Sequence, residues 1–540
     1  MFGQVDESSV RGGQTEVRRE ILMLAWEYPP KVVGGLARHA AYLSRALAAQ
    51  GHRVVVLTQE AAGAPAFEDD AGVEVHRLPV HGPPPRDFVG WVKRLNFQMV
   101  ERAVHLFASG RRFDIVHAHD WLAAYAGKTL KHGLAVPLVA TIHATEYGRN
   151  NGLHNDLQRY IGSCEWWLTY EAWRVICCSR FMEDELRRVF QTPKDKIRVV
   201  ANGVDLPDRA PDPEGDAAFR ARFAAPDEAL VFFIGRLVYE KGVHVLLEAV
   251  PRILERRPRT RFVIAGEGPL RAELEARAQA LGVASRVTFY GYADDEARDR
   301  FLRTSQAAVF PSLYEPFGIV ALEAMAAGTP VVVGRTGGFA EIVRHGANGL
   351  HAEPGDAASL AEAVLSVLST DGLADTLRKA AQREVRERYA WAGIAEQTAA
   401  VYEEVLDEYE RSSWEAAEAR RRSEAAAVWN ALVRLVGAAA NGHAAPGGPV
   451  GDETGRVARG GFGRYTPAAD GEAYAGTGAG LAGERADGAP DGALDGAPDE
   501  LVARILTRNH DAGDERAAPA AVARPYESAG AGVAAFRRLR

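Results

Sequence analysis

Two α/β domains, each a parallel sheet covered by helices on both faces, are what this 540-residue sequence predicts. Three observations carry that prediction. Short, wholly apolar runs alternate with amphipathic stretches of helical period, the pattern of strands buried on both sides. The series is interrupted once, by a segment rich in Pro, Asp and Ala over 206–227, and then begins again. Glycine-bearing turns stand where several apolar runs hand over to a helix, as they do at the ligand crevice of open α/β sheets.

In chain order, residues 1–18 read as a flexible polar tail. Strands are predicted over 21–26, 54–57, 115–118, 138–142, 175–178 and 197–200, with a helix over 36–50. Together they make 19–205 a first Rossmann-like domain. The segment 206–227 reads as a linker. Strands over 230–234, 262–265, 287–290, 308–310 and 331–333 make 228–390 a second Rossmann-like domain, with a cleft expected between the two. Residues 391–436 read as C-terminal helices, 391–409 being a helical tail of the second domain. The stretch 411–436 sets Arg420, Arg421 and Arg422 beside an apolar face around Val428 and Trp429. It reads as a helix packed on the body, with a membrane surface or a partner as the alternative. From 437 to 540 the composition collapses into Ala, Gly, Pro and Asp, with a run of Asp-Gly-Ala-Pro type from Asp487, which reads as disordered.

The bulk properties exclude some classes. A net charge of −8 offers no electrostatic footprint for nucleic acid. Cys164, Cys177 and Cys178 are too few and too poorly spaced for a disulfide framework or a zinc cage, and suit a reducing compartment. The polar first twenty residues carry no signal-peptide pattern, and no apolar run reaches the roughly 18–20 residues a bilayer requires. A cytoplasmic protein is the expectation.

The chemistry concentrates in a few turns. Ser312 to Pro330 places Glu315 and Glu323 eight residues apart across a Pro316-Phe317-Gly318 turn that opens an apolar helix. A helix start of this kind offers free N–H groups to an anion, while carboxylates accept from hydroxyls, so a ligand part sugar and part phosphate fits. Arg236 and Lys241 stand five apart in a strand-to-helix turn and can reach one diphosphate, the guanidinium bidentately and the ammonium as a point charge. Gly34-Gly35 forms a glycine-rich loop after the first strand, without the spaced three-glycine dinucleotide fingerprint. His117, His119, Asp120, His143 and Glu146 lie at the ends of two adjacent strands. The three histidines are expected to point in different directions, so hydrogen bonding to sugar hydroxyls is preferred over a metal, with His117 read as a core residue. Nowhere are two aspartates separated by one residue, which removes the Asp-x-Asp metal site of the other main nucleotide-sugar transferase architecture. Gly268 and Tyr292 end two further strands and are read as framing base and ribose.

These segments together resemble the retaining glycosyltransferases of families GT4 and GT5 with the GT-B fold, bacterial glycogen and starch synthases included, over about 21–409. Asn202-Gly203-Val204-Asp205 and Thr336-Gly337-Gly338 add to the likeness. The resemblance implies an acceptor-binding first domain and a nucleotide-sugar donor domain second. It implies Arg236 and Lys241 on the donor diphosphate, Glu315 at the donor sugar and Glu323 at the ribose. His143 and Asp120 would lie near the reacting sugar, and Gly35 and Gly318 would give N–H groups to donor phosphate or sugar. It implies retention without a metal or other cofactor, an ADP- or UDP-hexose as donor, and a glycan or another hydroxyl as acceptor. Two departures stand against a glucan synthase: Lys31 is one residue further from Gly34-Gly35 than in that pattern, and Leu122 replaces the last histidine of His-x-His-Asp-Trp-His. Glucose is the expected sugar and an α-glucan one acceptor. The alternatives are another sugar, such as mannose or N-acetylglucosamine, moved to a lipid or small molecule; a sugar-nucleotide 2-epimerase; and a non-catalytic sugar-binding protein.

Overall fold

A computed structural model describes residues 18–80, 87–205, 212–414, 416–418 and 420. The first domain is an eight-stranded sheet built from β1 (Glu20–Leu24), β2 (Arg53–Gln59), β3 (Phe67–Asp70), β4 (Val73–Leu78), β5 (Ile115–His119), β6 (Leu138–Ile142), β7 (Arg174–Cys177) and β8 (Ile197–Val199). Its strand order is β3-β4-β2-β1-β5-β6-β7-β8, and every pairing except β3 with β4 is parallel. The second domain holds β9 (Ala229–Ile234), β10 (Thr260–Ala265), β11 (Val287–Gly291), β12 (Ala307–Phe310), β13 (Val331–Gly334) and β14 (Leu350–Ala352), all parallel, in the order β11-β10-β9-β12-β13-β14. This is the GT-B arrangement. Central strands such as Ile21 to Leu24 and Val331 to Val333 have no exposed surface, as strands covered on both faces require.

Strand boundaries fall within two residues of those read from the sequence. The strands that reading omitted are β3, β4 and β14. Phe-Glu-Asp-Asp in β3 is a polar edge strand and β14 has three residues, so neither carries an apolar run.

Two assignments change. Within the predicted linker, Pro213–Arg220 is a helix. Asp212 caps it through Gly215 N–H, Pro213 occupies the first turn, and Phe219 packs edge-on to Phe301 at 4.8 Å. Asp216 grips Arg303 through two bonds of 2.8 Å, so this helix belongs to the second domain.

The helix Trp391–Arg411 does not stay with the second domain, as a tail would. It returns to the first, laying a stripe of Ile394, Thr398, Val401, Tyr402 and Val405 against it. Tyr402 Oη bonds His117 Nδ1 at 2.7 Å, and Arg19 and Arg174 hold Glu403 and Glu404 at 2.8 and 3.0 Å. The chain thus crosses the cleft twice. The helix breaks after Arg411, where Ser412 is extended, and 414, 416–418 and 420 are helical again. Residues 421–436 of that predicted helix, the N-terminal tail through residue 17 and the predicted disordered tail lie outside the described residues. Among the described residues no single helix is long and apolar enough to cross a membrane.

Tyr402→Phe would leave the wholly buried His117 ring one partner short. The expected loss is about 1–3 kcal/mol, seen as a lower denaturation midpoint; an unchanged midpoint would mean this bond does not hold the strap.

Candidate functional site

Each sheet has a point where the strand order reverses, and ligand crevices open there, beyond the strand C-termini. In the first sheet the point lies between β1 and β5, in the second between β9 and β12. The two points bring together the loops that carry most of the sequence-derived candidates.

On the second domain, β9 runs into Gly235-Arg236 and β12 into the Glu315 loop. Glu315 is buried, and its Oε2 accepts from Lys241 Nζ at 2.7 Å and from Ser312 Oγ at 3.1 Å. Among the described residues the Arg236 guanidinium bonds Glu240, at 3.3 Å. Burial lowers its pKa, and Arg149 from the first domain adds repulsion. Gly318 precedes the helix Ile319–Ala327 with φ 104°, and a Cβ there would meet the Phe339 ring at 2.1 Å, so both backbone and packing demand glycine. Glu323 stands on this helix. Its Oε1 takes Arg38 of the first domain at 3.0 Å and Arg298 at 3.4 Å, while its buried Oε2 has no hydrogen-bond partner among the described residues.

On the first domain, β1 leads into the loop before the helix Gly35–Ala49. Gly35 faces the other domain, with Ile319 Cδ1 3.2 Å from its Cβ position. The loop is organised by Glu27, whose carboxylate accepts from the N–H groups of Val33, Gly34 and Ala37 at 2.6, 3.3 and 3.3 Å. Burial lifts Glu27 to a pKa of about 7. Asp120 ends β5, accepts from His143 N–H at 2.8 Å, and is raised to about 6 by burial.

The histidines depart from expectation. His119 and His143 do not diverge: their rings stack at 18° and Nδ1 of His119 lies 3.1 Å from Nε2 of His143. His39 joins them, and ligand nitrogens of all three lie within 4.8 Å of one another. Burial lowers the pKa of each, so all are neutral near pH 7, the form that binds a metal. The nitrogens that His119 and His143 turn on each other are already spent on their mutual bond. His117 is a core residue as expected, satisfied by Tyr402 and by Thr141 Oγ1 at 2.7 Å.

Two candidates stand apart. A Cβ on Gly268 would meet Leu237 O at 2.4 Å, so the close approach there is to the protein's own backbone. Tyr292 is 64% exposed. Sequence reasoning missed Glu27, Arg38, His39, Arg149 and Arg298. Arg149 carried a legible signal, a cation six residues after His143 and just past a strand end, whereas Arg38 acts across the cleft.

The known proteins this chain resembles are consistent with that geometry. Residues 33–207 match the Glycosyltransferase Family 4 model and residues 216–384 the model of Glycosyl transferases group 1. An uncharacterized glycosyltransferase of Methanocaldococcus jannaschii is 39% identical over 72% of this chain and 99% of its own length. A glycogen synthase of Mycobacterium tuberculosis is 39% identical over 71% of this chain and 94% of its own. A D-inositol 3-phosphate glycosyltransferase of Streptomyces scabiei is 32% identical over 70% and 88%. Among solved structures, a sucrose-phosphate synthase from Thermosynechococcus elongatus superposes with a TM-score of 0.63 at 26% identity, over 72% of this chain and all of that one. The catalytic domain of starch synthase IV from Arabidopsis thaliana, bound to ADP and acarbose, shares the fold at a TM-score of 0.59 and 20% identity, over 72% of this chain and all of that one.

Burial and Arg149 hold His143 at a pKa of about 3, against about 6.5 for an unfolded histidine. The unfolded state therefore binds more protons in this window. Stability present above pH 6.5 is lost as pH falls toward 3, at up to about 1.4 kcal/mol per unit. His143→Gln lacks this term and should gain stability relative to wild type between pH 6 and 4. A stability difference constant over that range would contradict the assignment.

Proposed function

We propose how this chain, which belongs to the family 4 and group 1 glycosyltransferases, moves sugar: a hexosyl unit, glucose first among the candidates, passes from a nucleoside diphosphate to an acceptor hydroxyl with retention at the anomeric carbon. The observation that carries this reading is the meeting of Arg236, Lys241, Glu315 and the helix start at Gly318 on one side of the cleft with His143 and Asp120 on the other. In the proposed step the bond between the anomeric carbon and the β-phosphate oxygen breaks as the acceptor oxygen bonds the same carbon on the same face. The acceptor proton passes to the departing phosphate, leaving a nucleoside diphosphate.

Arg236 and Lys241 would neutralise charge growing on the diphosphate, so the proposed reaction needs no metal at that position. Lys241 sits 2.7 Å from Glu315, and in this reading its ammonium would stand between that carboxylate and the incoming phosphate. Glu315 would accept from donor-sugar hydroxyls, Glu323 Oε2 from the ribose, and neutral His143 would bond the sugar near the reacting carbon. Gly35 and Gly318 remain donor-side contacts in this reading. The glycogen synthase relative supports glucose and an α-glucan; the inositol phosphate transferase relative supports a small acceptor.

The test is release of nucleoside diphosphate from ADP- and UDP-hexoses with a panel of acceptors, and proton NMR of the product's anomeric configuration. Lys241→Ala and Glu315→Ala should each lower kcat/KM by roughly 100-fold or more, the scale on which a transition-state contact is lost. Wild-type turnover in both variants would remove these residues from the site.

A further inference from the structure

Arg149 is a charged group of the cleft that the donor chemistry does not use. It follows Glu146 in the short helix Glu146–Arg149, just beyond the end of β6. Among the described residues its guanidinium makes no hydrogen bond, and its ion pair is with Glu146 at 4.0 Å. Its side chain is 28% open, and it interacts electrostatically across the cleft with Arg236 and Tyr314 of the second domain.

Each carboxyl group around it gives at least one oxygen to another partner. Both oxygens of Glu165 turn to Glu146 N–H, at 2.9 and 3.0 Å. Asp120 Oδ1 takes His143 N–H, and Glu146 Oε1 takes Asn150 Nδ2 at 3.0 Å. Burial raises the pKa of Asp120, Glu146 and Glu165, and Arg149 opposes each rise. Five N–H donors on a planar fork are thus left for a ligand that accepts in pairs, as phosphate and carboxylate do.

The position separates this cation from the donor pair. Arg236 and Lys241 stand on the second domain, Arg149 on the first, beside Asp120 and His143, where the acceptor must approach. Arg149 and Arg236 repel each other, so an anion held by the first domain would relieve both.

We propose that Arg149 binds an anionic group carried by the acceptor, a phosphate monoester on a small sugar or polyol, and so selects a phosphorylated acceptor over a neutral glucan end. This rests on the glycosyl-transfer reading of the same cleft. A neutral glucan end would leave the fork without an anion in a partly desolvated site, whereas a phosphate would fill it.

The experiment uses the full chain, with glucose, glucose 1-phosphate, glucose 6-phosphate and maltotetraose as acceptors and the best donor. Expected for wild type is a preference of about 100-fold in kcat/KM for a hexose monophosphate over glucose, the scale of a charge-assisted pair. Arg149→Gln should collapse that preference to a few-fold through KM, with nucleoside diphosphate affinity moved less than about 3-fold. Arg149→Lys, which keeps the charge and loses the fork, should fall between; it is read alone if the Gln variant does not fold. Equal use of glucose and its phosphates, or preference for maltotetraose, would overturn the proposal. Loss of nucleotide affinity in Arg149→Gln equal to the loss of acceptor affinity would also overturn it, assigning the residue to the donor. Calorimetric titration of the hexose monophosphates into wild type and Arg149→Gln, with the nucleoside diphosphate present, needs no turnover. Binding lost in the variant supports the proposal even if no acceptor is glycosylated, and absence of binding to wild type overturns it while leaving donor chemistry standing.

Discussion

The turn at Pro316 is held from both domains at once, and the rest of the cleft takes its geometry from that restraint. Ser179 of the first domain donates to Pro316 O at 2.6 Å, while Gly338 of the second donates to the neighbouring Glu315 O at 2.8 Å. The Glu315 side chain is fixed in turn by Lys241 and Ser312. A carboxylate bound in this way has little rotamer freedom left to lose when a sugar arrives, which is preorganisation in its plainest form. The same loop presents Tyr314 to Glu185 of the first domain at 2.9 Å, so closure of the domains and shape of the site are one constraint.

Electrostatics reinforces it. Buried charges are tolerated when paired and hydrogen-bonded. Glu341 spans the cleft to cap the first-domain helix Arg180–Phe190, accepting from Arg180 and Phe181 N–H at 3.0 and 2.8 Å. Arg38 spans it the other way to Glu323. Both bridges join a group of one domain to a group of the other, so any ligand that takes over Glu323 also loosens a domain contact. Binding and domain movement are therefore coupled through named pairs rather than through the fold at large.

What the sequence made legible follows from range. Apolar runs specify strands through local burial, so the strands of the parallel core could be placed from residues such as Ile21, Val54 and Val331, whereas the strand order that sets the two reversal points was not read. The Glu315–Glu323 spacing and the Arg236–Lys241 turn were legible because each motif lies within one loop and one helix. The helix Trp391–Arg411 was assigned to the wrong domain because its period shows only that one face is buried, not which partner buries it. The segment Asp212–Arg220 read as linker because Pro and Asp mark loops and helix starts alike. Glu27 and the meeting of His39 with His119 and His143 depend on backbone donors and strand ends far apart in sequence, which spacing does not encode.

The central claim is that the diphosphate of a nucleotide sugar sits between the Arg236–Lys241 turn and the start of the Ile319–Ala327 helix. A crystal structure of the chain soaked with UDP-glucose or ADP-glucose tests this most directly. The account requires phosphate oxygens within hydrogen-bond distance of Arg236 and Lys241, with the Lys241–Glu315 bond of 2.7 Å lengthened or shared. A diphosphate held elsewhere, with that ion pair intact, would contradict it.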